Sequence, residues 1–427
     1  MGIRNLYKII QTKAPNAIQN KPLSAFIGYR VAIDASIFLY KFMYVYGNVI
    51  DGLTRLTTIL LKNGILPVYV FDGKPPKEKS EVLKERKEKR DELVMISKTL
   101  GKICVEKEMN PELKEKDEIV NIVKTYIENE LECEYDETFL NAEEWNIVIK
   151  GKPYEINKLQ ESVDKKIIYI RQEHIDDAKK LLDFFGVPYI IAQSEAESLC
   201  AVLCKKGIVD ATLSEDSDVL ATGGCVLLKN FTMEKGGTVT EVCLDKVLQE
   251  INMSYDEFLD MCILCGCDYT SKIVGIGPIN AFKLIQKHKK IENIITNIKN
   301  TKNCYVPDDF DYVKSRELFK TACETDDFEI YKTAVLQTPI QITSLMAYLQ
   351  QKCPKLKGKI LADIQELKYE YKNEKLMATP SNNDEESKVL KMVKGTNKKV
   401  AVVEKKKTNE KLVFTNTLDN YFTNLSK

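Results

Sequence analysis

Histidine is nearly absent from this chain, and its scarcity excludes several kinds of catalysis. Only His174 and His288 occur among the 427 residues, and both lie in lysine-rich segments with a helical pattern. A Ser-His-Asp or Cys-His device needs a histidine as its base, so neither device is expected here. A zinc site built from histidines is excluded for the same reason. Any catalysis should therefore depend on carboxylates, which favour magnesium or manganese as partner ions.

Net charge is also missing, although the charges are unevenly distributed. Lysine plus arginine and aspartate plus glutamate each number 63, so the overall charge does not indicate a nucleic-acid partner. Basic residues concentrate at 74–90, 283–290 and 388–411, whereas 128–144 is acidic and contains no lysine or arginine. Such a distribution is compatible with steering a polyanion toward one face of the protein.

The chain lacks a long apolar run and a secretory signal. No stretch is long enough to cross a membrane, and the first residues, MGIRNLYKII, lack the zones of a signal peptide. Twelve cysteines without such a signal predict reduced thiols inside the cell. Cys262, Cys265 and Cys267 include a C-x-x-C, but no second pair stands at zinc-ribbon spacing. Buried thiols are the better interpretation.

Strand-like and helix-like segments alternate along much of the chain, which predicts an α/β fold with a doubly wound, mostly parallel sheet. Residues 1–100 and 166–370 carry this alternation, 101–165 is an irregular, acidic insertion, and 371–427 is polar and expected to be disordered. The predicted strands are 31–34, 67–72, 187–192, 209–213, 225–230 and 238–243. The predicted helices are 37–46, 53–61, 77–100, 176–185, 195–206, 256–265 and 279–288.

Acidic residues stand where these strands end or helices begin, and they are the most informative feature of the sequence. In an open α/β sheet, residues beyond the carboxyl ends of neighbouring strands meet in one crevice. Acids gathered there repel one another unless cations lie between them, and two divalent ions are a common reason for such a cluster in phosphoryl chemistry. The pattern predicts a metal-dependent nuclease. The acids are Asp34, Asp72, Glu195, Glu197, Asp216, Asp218 and Asp268.

Each acidic motif alone has an ordinary structural explanation. Ser194 to Glu197 fits a capping box, and on its own that interpretation is favoured. Asp216 and Asp218, like Asp34 and Asp72, could be polar turn residues after strands. Five separate segments nevertheless deliver acids to such positions, which turn chemistry does not require. The joint pattern favours metal ligands.

Three other features are compatible with nucleic-acid binding. Gly275-Ile276-Gly277-Pro278 lies between two predicted helices and is followed by Lys283 and Lys287, as expected for a helix–hairpin–helix that binds phosphates. An ordinary turn between two helices explains the glycines equally well. Lys79 and Arg86 lie on one face of a charged helix near Asp72, although a solvated helix has the same composition. Tyr40 could stack on a base or pack in the core.

Together these motifs resemble the flap endonuclease family of structure-specific 5′ nucleases. The resemblance covers most of residues 1–288 and lies in MGI, VAIDAS, PVYVFDGKPP, SEAES, SEDSD, GCDYT and GIGP, in that order. It implies a PIN-like nuclease core with a helical arch or cap and a helix–two-turn–helix DNA-binding element. It also implies hydrolysis of DNA at single-strand/duplex junctions with two Mg²⁺ ions, for which Mn²⁺ can substitute.

The resemblance assigns roles to individual residues. It makes the seven acids metal ligands, and it makes Lys79 and Arg86 catalytic residues of the arch. Tyr40 would stack near the junction, and Gly275 and Gly277 would form the turn that binds duplex DNA. At the carboxyl terminus, Leu418, Tyr421 and Phe422 match the family's motif for the sliding clamp (PCNA), with Thr415 in place of its glutamine. A chance match in a polar tail is the alternative.

The sequence therefore predicts a monomeric 5′ flap endonuclease and 5′–3′ exonuclease that acts on flapped DNA in replication and repair, in the nucleus or another site of DNA replication. Three alternatives remain open. One is a related bubble, Holliday-junction or exonucleolytic enzyme. Another is a clamp-tethered DNA-binding scaffold without catalysis, which seven intact acids disfavour. The third is a 5′–3′ exoribonuclease.

Overall fold

A computed structural model describes residues 2–109, 138–141, 146–149, 152–233, 236–298, 304–321, 329–356 and 358–367 of the chain. Its strands are β1 (Ile18–Pro22), β2 (Arg30–Asp34), β3 (Leu66–Phe71), β4 (Thr138–Asn141), β5 (Asn146–Ile149), β6 (Lys152–Glu155), β7 (Tyr189–Ile191), β8 (Ala211–Leu213), β9 (Val226–Thr232) and β10 (Thr238–Cys243).

The helices of the described residues come from both α/β regions and from the insertion between them. They are α1 (Leu6–Lys13), α2 (Ala35–Tyr46), α3 (Val49–Lys62), α4 (Ser80–Met109), α5 (Ile156–Lys166), α6 (Gln172–Phe185), α7 (Ala196–Lys205), α8 (Asp218–Ala221), α9 (Leu244–Ile251), α10 (Tyr255–Cys265), α11 (Pro278–His288), α12 (Ile291–Ile298), α13 (Tyr312–Lys320), α14 (Glu329–Ala334), α15 (Ile342–Lys352) and α16 (Lys359–Gln365). Among the residues that the structure describes, no helix is long and apolar enough to span a bilayer.

Seven strands form one mixed sheet in the order β1-β10-β9-β8-β2-β3-β7. The five strands from β9 to β7 are parallel, and β10 runs antiparallel to both of its neighbours. The chain passes from β2 to β3 and β7 on one side and later returns to place β8 on the other side of β2. The gap between β2 and β8 is therefore the point at which the strand order reverses, which is where open α/β sheets bind their ligands. The predicted doubly wound, mostly parallel sheet is confirmed.

Successive side chains of a strand point to opposite faces of the sheet. In the central strands the side chains on both faces are buried. Val31 and Ile33 of β2 pack with Phe38 of α2 and with residues of α3 and α6. Ala32 of β2 packs on the other face with Leu199 of α7 and with residues of β3. This two-sided burial explains why the strands are continuous apolar runs without alternation. It also holds the ends of β2, β3 and β8 in fixed positions.

The acidic insertion contains more regular structure than its sequence indicates. Helix α4 continues to Met109 rather than ending near residue 100. Strands β4, β5 and β6 form a separate antiparallel sheet, and α5 follows directly. Helix α5 returns beside α4, where Ser97 donates a hydrogen bond to Asp164. Most of the acidic run 128–144 lies outside the described residues.

The carboxyl-terminal segment from residue 368 onward also lies outside the described residues. The predictions of a disordered tail and of a clamp motif at Leu418, Tyr421 and Phe422 fall there. The domain boundaries proposed from the sequence stay predictions.

Candidate active site

A cavity of about 240 Å³ opens at the carboxyl ends of β2, β3 and β8. Six of the seven predicted acids line it, together with Tyr40, Lys79, Leu83 and Arg86. The seventh acid, Asp218, lies directly behind Asp216, whose Oδ1 accepts a hydrogen bond of 3.1 Å from the Asp218 amide. The structure thus brings together all seven acids. Those that line the cavity are Asp34, Asp72, Glu195, Glu197, Asp216 and Asp268.

Asp34 connects the end of β2 to the beginning of α2. It is the N-cap residue of α2, and its Oδ1 accepts a 3.4 Å hydrogen bond from the amide of Ile37. Its Oδ2 accepts a 3.3 Å hydrogen bond from the Ser214 hydroxyl, which follows β8. The turn interpretation of Asp34 is therefore correct locally, but the same carboxylate also faces the cavity.

Asp72 follows β3 and caps a helix that lies more than a hundred residues further along the chain. Its Oδ1 accepts a 2.8 Å hydrogen bond from the amide of Ala196, the first residue of α7. The N-cap of α7 is Glu195, which makes no side-chain capping bond, so the capping box proposed for Ser194 and Glu197 is wrong. Because Asp72 satisfies the helix end, both glutamates are left to face the cavity.

Gly73 fixes the segment after β3 against the loop before α7. Its amide donates a 2.7 Å hydrogen bond to the Ser194 carbonyl, and the Lys74 amide donates a 3.2 Å bond to Gln193. A Cβ at position 73 would lie 1.9 Å from the carbonyl oxygen of Ala192. Only glycine fits this approach, which sets the spacing between Asp72 and the two glutamates.

The loop after β8 carries Asp216 and Asp218 and is supported from beneath by Lys229 of β9. The buried ammonium of Lys229 donates hydrogen bonds to the Glu215 carbonyl and, at 3.1 Å, to the Ser217 hydroxyl. Burial lowers the pKa of Lys229, although the neighbouring acids oppose this effect. Sequence reasoning missed Lys229, because a lysine in an edge-like strand usually faces solvent.

The beginning of the chain also packs against this loop. The amide of Ile3 donates a 2.6 Å hydrogen bond to Oδ1 of Asp218. Gly2 adopts a positive φ of 73°, and a Cβ there would lie 2.1 Å from Oδ1 of Asp216. The MGI motif therefore contributes backbone to the site.

Burial and mutual repulsion make the acids hard to ionise together. Burial raises the pKa of Asp34 to about 7, and the charges of Asp72 and Asp216 add to this effect. Burial likewise raises the pKa of Glu197 and of Asp218 well above the usual range, with Asp216 contributing to both. Such a cluster is stabilised in its charged form only by cations placed among the carboxylates.

Two basic side chains from the beginning of the arch supply part of that positive charge. Lys79, whose side chain is 11% exposed, forms an ion pair with Glu195 and lies 3.9 Å from Glu197 and 3.3 Å from Asp268. Arg86 on α4 donates a 2.9 Å hydrogen bond to Oδ2 of Asp268. Burial lowers the pKa of Lys79, but Glu197 and Glu195 outweigh it and hold the pKa above its usual value. Both residues predicted as catalytic therefore contact the acids directly.

Tyr269, which follows Asp268, is a second residue that sequence reasoning missed. Its hydroxyl donates a 2.5 Å hydrogen bond to Oε2 of Glu195. Its ring packs edge-on against Phe319 of α13, with ring centroids 5.0 Å apart. The tyrosine thereby fixes the orientation of Glu195. The adjacent Asp268 was the only signal for it in the sequence.

The donor set fits a hard divalent cation. The cavity presents carboxylate oxygens, which are the donors that magnesium and manganese prefer, and neither histidine nor cysteine lines it. In the present arrangement no three acidic, histidine or cysteine side chains of the described residues converge as ligands of one ion. Lys79 lies instead among Glu195, Glu197 and Asp268. Binding of an ion therefore requires these carboxylates to turn away from the lysine.

Tyr40 lies on α2 at the rim of the cavity, 40% exposed, and does not belong to the core. Lys79, just before α4, and Arg86 of α4 face the same cavity as predicted, and Leu83 of α4 lines it between them. Arg90, one helical turn beyond Arg86, stacks on Tyr169, with its guanidinium 5.0 Å from the ring centroid.

The glycine turn lies between α10 and α11, outside the cavity. Gly275 has a positive φ of 86°, and Gly277 is the N-cap of α11. Lys283 and Lys287 are exposed one turn apart on α11. Both glycines are exposed as well, so the turn and the two lysines are accessible to a ligand. Cys262, Cys265 and Cys267 are buried as predicted, and burial raises the pKa of Cys265 to about 12 and that of Cys267 to about 11.

Two sequence families match this chain. The XPG N-terminal domain matches residues 1–93, and the XPG I-region matches residues 186–268. These two ranges contain all seven acids, Lys79 and Arg86. The interval between them includes the acidic insertion.

Alignments with individual proteins extend the similarity to three quarters of the chain. The chain is 37% identical over 336 residues to flap endonuclease 1 of Aedes aegypti, covering 75% of each protein. It is 35% identical over 337 residues to flap endonuclease 1 of Osmerus mordax, again covering 75% of each. The catalytic core of Rad2 in complex with a DNA substrate has a similar fold, with a TM-score of 0.59 and 21% identity over 85% of this chain and 100% of that one.

Proposed function

Since this chain belongs to the flap endonuclease family of structure-specific 5′ nucleases, we propose that its acid-lined cavity hydrolyses DNA phosphodiesters where a 5′ single strand meets a duplex. The observation that supports this proposal is the convergence of six carboxylates with Lys79 and Arg86 in one cavity at the switch point of the sheet. The cavity gathers six carboxylates and two basic side chains. It suits a phosphate group approached by cations.

The seven acids are the proposed ligands of two Mg²⁺ ions, for which Mn²⁺ can substitute. The chemistry that such ions supply when bound is Lewis-acid stabilisation of the charge that develops on the reacting phosphate and its leaving oxygen. Hydrogen bonds made by Gly73 and Lys229 hold the turn after β3 and the loop after β8 in place, so that only the acid side chains, and not their backbone, have to reorient. This rigidity reduces the reorganisation that binding requires.

Lys79 and Arg86 act on the phosphate. In the present arrangement their charges are directed at Glu195 and Asp268. When metal ions neutralise those acids, both side chains become available to the phosphate oxygens, and their positive charge stabilises the transition state. The same two residues thus stabilise the cluster before substrate arrives and the phosphate afterwards.

Three further residues position the DNA in this proposal. Tyr40, at the rim of the cavity, stacks on a base beside the scissile phosphate. Lys283 and Lys287 follow the glycine turn of α11 and contact phosphates of the duplex. Since duplex binding through phosphates releases counterions, affinity should fall steeply with salt.

The proposed partner of the tail is the sliding clamp (PCNA), bound through Leu418, Tyr421 and Phe422 as an extended segment that folds on binding. In this proposal the protein acts as a monomer attached to the clamp, in the nucleus or at another site of replication. Replacing Tyr421 and Phe422 with alanine should abolish capture by the clamp and leave cleavage of a free flap unchanged. Unchanged capture would show that the motif is a chance match.

Cleavage of a 5′-flap DNA labelled on the flap strand tests the proposed activity. We expect a cut at the flap base that requires Mg²⁺ and is lost in Asp216→Asn, with unchanged circular dichroism. Glu215→Gln is the matched control, because Glu215 precedes Asp216 in the same loop but does not line the cavity. Binding of the flap without any cut, in Mg²⁺ or Mn²⁺, would identify a DNA-binding scaffold instead.

Two modified substrates distinguish the related enzymes. A bulky block on the 5′ end should stop cleavage by an enzyme that threads or binds that end, whereas a bubble or Holliday-junction nuclease should be unaffected. A flap strand made of RNA should be a poor substrate. Preferential cutting of RNA would identify an exoribonuclease.

A further inference from the structure

Three large hydrophobic side chains are exposed beside the glycine turn between α10 and α11. Val274, immediately before the turn, is 59% exposed, and Tyr305, in the segment before α13, is 60% exposed. Ile279, at the beginning of α11, is 68% exposed, more than any other large hydrophobic residue that the structure describes. We call these three side chains the turn rim. None of them lines the acid cavity.

Backbone contacts hold two members of the turn rim side by side. The Val274 amide donates a 2.9 Å hydrogen bond to the Tyr305 carbonyl, and the Tyr305 amide donates a 3.2 Å bond to the Val274 carbonyl. Residues paired in this way lie directly opposite each other in an antiparallel bridge, with their side chains on the same face. The Thr270 hydroxyl joins the same two segments, because it accepts a 2.7 Å hydrogen bond from the Asp311 amide. The backbone that carries the two side chains is therefore already ordered for binding.

The third member of the turn rim lies on a basic stripe. Ile279, Lys283 and Lys287 follow one another at intervals of four residues on α11, so they share one side of the helix. Both lysines are exposed. Among the described residues, none accepts a hydrogen bond from the amide of Gly275 or Gly277. A ligand that covers Ile279 thus meets positive charge and amide donors beside it, which suits a polyanion that also has apolar parts.

We propose that the turn rim contacts the deoxyribose sugars of duplex DNA, beside the phosphates that the glycine turn, Lys283 and Lys287 bind. In a DNA strand each phosphate lies between two sugars, whose carbon–hydrogen groups are the apolar part of the backbone. A protein partner with an apolar surface would explain the exposed side chains but not the basic stripe next to them. This inference rests on the proposed DNA substrate, and it adds a contact that does not depend on charge.

The turn rim would contact the duplex close to the scissile phosphate. Asp268 lines the acid cavity, and the segment from Asp268 to Val274 can span at most roughly 20 Å. One turn of duplex DNA is about 34 Å long. The turn rim therefore lies within one turn of duplex from the cavity. Contacts with the sugars at this distance would hold the duplex in position relative to the acids.

The salt dependence of binding separates sugar contacts from phosphate contacts. Affinity for a 5′-flap DNA is measured by fluorescence anisotropy at several salt concentrations, in a metal chelator that prevents cleavage. Ile279→Ser and Tyr305→Ala should each weaken binding by about fivefold at every salt concentration, without changing the slope of log affinity against log salt. Lys283→Gln should instead reduce that slope by about one. Circular dichroism confirms that each variant is folded.

Ile27→Ser is the matched control for Ile279→Ser. Ile27 is similarly exposed, at 61%, but it precedes β2 and so lies at the end of the sheet opposite the cavity. Its substitution should leave the affinity for the flap unchanged at every salt concentration. Equal weakening by Ile27→Ser and Ile279→Ser would show that loss of any exposed isoleucine has this effect, and it would overturn the proposal.

Ribose in the duplex tests the sugar contact directly. In a flap whose duplex carries ribonucleotides in both strands within one turn of the junction, 2′-hydroxyls would lie against the turn rim without a hydrogen-bond partner. Wild-type protein should bind this flap about tenfold more weakly than the all-DNA flap. The penalty should shrink to about twofold in the double variant Ile279→Ser/Tyr305→Ser, because serine hydroxyls can pair with those of ribose. A penalty caused only by the shape of the duplex would persist in the variant.

Three further results would overturn the proposal. They are an unchanged affinity in both Ile279→Ser and Tyr305→Ala, a reduced salt slope in these variants, and a ribose penalty of equal size in the wild type and the double variant. All three are binding measurements, so they do not depend on whether the wild type cuts the flap. Absence of Mg²⁺-dependent cleavage would refute the nuclease alone, and the affinities would still decide whether the turn rim contacts sugars.

Discussion

The ammonium group of Lys79 lies 3.3 Å from Oδ2 of Asp268. This ion pair connects the residue before α4 to the acid that follows α10. The two residues are far apart in the sequence and meet only because β3 and α10 end at the same cavity. Lys79 also pairs with Glu195, and Arg86 pairs with the same Asp268 at 2.9 Å. A divalent ion that enters the cluster must compete with this lysine.

Lys79→Met should therefore separate metal binding from catalysis. Removing a cation from the cluster makes the local potential more negative, so Mg²⁺ should bind more tightly, on the order of tenfold. Cleavage at saturating metal should nevertheless fall by about a hundredfold, because the phosphate loses a positive partner. Calorimetric titration with metal and single-turnover cleavage give the two quantities. Weaker metal binding in Lys79→Met would contradict this account of the lysine.

The stability of the metal-free protein should decrease as pH rises from about 4 to 7. The pKa of Asp34 is raised from 3.8 to about 7 in the folded state, so the folded protein retains a proton that the unfolded chain has released. The stabilisation is complete below the unfolded value and is lost as pH approaches 7, by roughly 4 kcal/mol at most for this residue. Glu197 and Asp218 add to the same trend, because their pKa values are also raised.

Chemical unfolding in a metal chelator at several pH values measures this dependence. Asp34→Asn should flatten it and should raise the stability above that of the wild type near pH 7. Added Mg²⁺ should restore the wild-type stability at pH 7 by replacing the missing proton with a cation. A wild-type stability that increases steadily from pH 4 to 7 without metal would refute the argument.

Tyr269→Phe should affect both stability and cleavage. The substitution removes a 2.5 Å hydrogen bond to a buried carboxylate, at a cost of about 2 kcal/mol, and leaves Glu195 free to rotate. Tyr255→Phe is a suitable control, because its hydroxyl donates a 2.6 Å hydrogen bond to the Ala221 carbonyl away from the cavity. The control should lose about 1 kcal/mol of stability and keep its cleavage rate. Equal cleavage by the two variants would show that Glu195 needs no orientation by Tyr269.

Lys229→Met should loosen the acid loop without touching an acid. The loop loses two hydrogen bonds to a buried ammonium, and we expect the loss of order around Asp216 and Asp218 to outweigh the loss of a nearby cation, so metal affinity should fall by about tenfold while the fold is kept. Lys41→Met is the comparison, because Lys41 pairs at 3.0 Å with the side chain of Glu215 at the surface, where such pairs contribute little. Metal titration of both variants decides the matter. Equal affinities would remove Lys229 from the site.

The central fold and the acids could be predicted from sequence because both depend on short, local patterns of residues. A short apolar run that ends in an acid, as at Asp34, is enough to predict both the strand and the position of the acid. The strand bounds differ from the expected ones by only a few residues. The capping box at Ser194 was wrong because a distant residue, Asp72, accepts the hydrogen bond from the first amide of the helix. Local sequence gives no sign of such a contact.

The supporting residues were missed for the same physical reason. Lys229 has the sequence context of an exposed strand residue, and only the return of β9 beside β8 places it beneath the acid loop. Tyr269 gains its role from Glu195, which belongs to another segment. The strands of the insertion were missed because β4, β5 and β6 are only four residues each and lie in a polar, acidic context. Pairing with one another, rather than a periodic pattern, defines them.

The tight approach of Gly73 to the Ala192 carbonyl has a genetic consequence. Because a methyl group there would collide with backbone, substitution by alanine must separate the turn after β3 from the loop before α7. The acids would all remain, yet their spacing would change. A screen for loss-of-function alleles should therefore recover position 73 together with the acidic positions, and suppressors should arise in the loop at Gln193 and Ser194, which the glycine contacts.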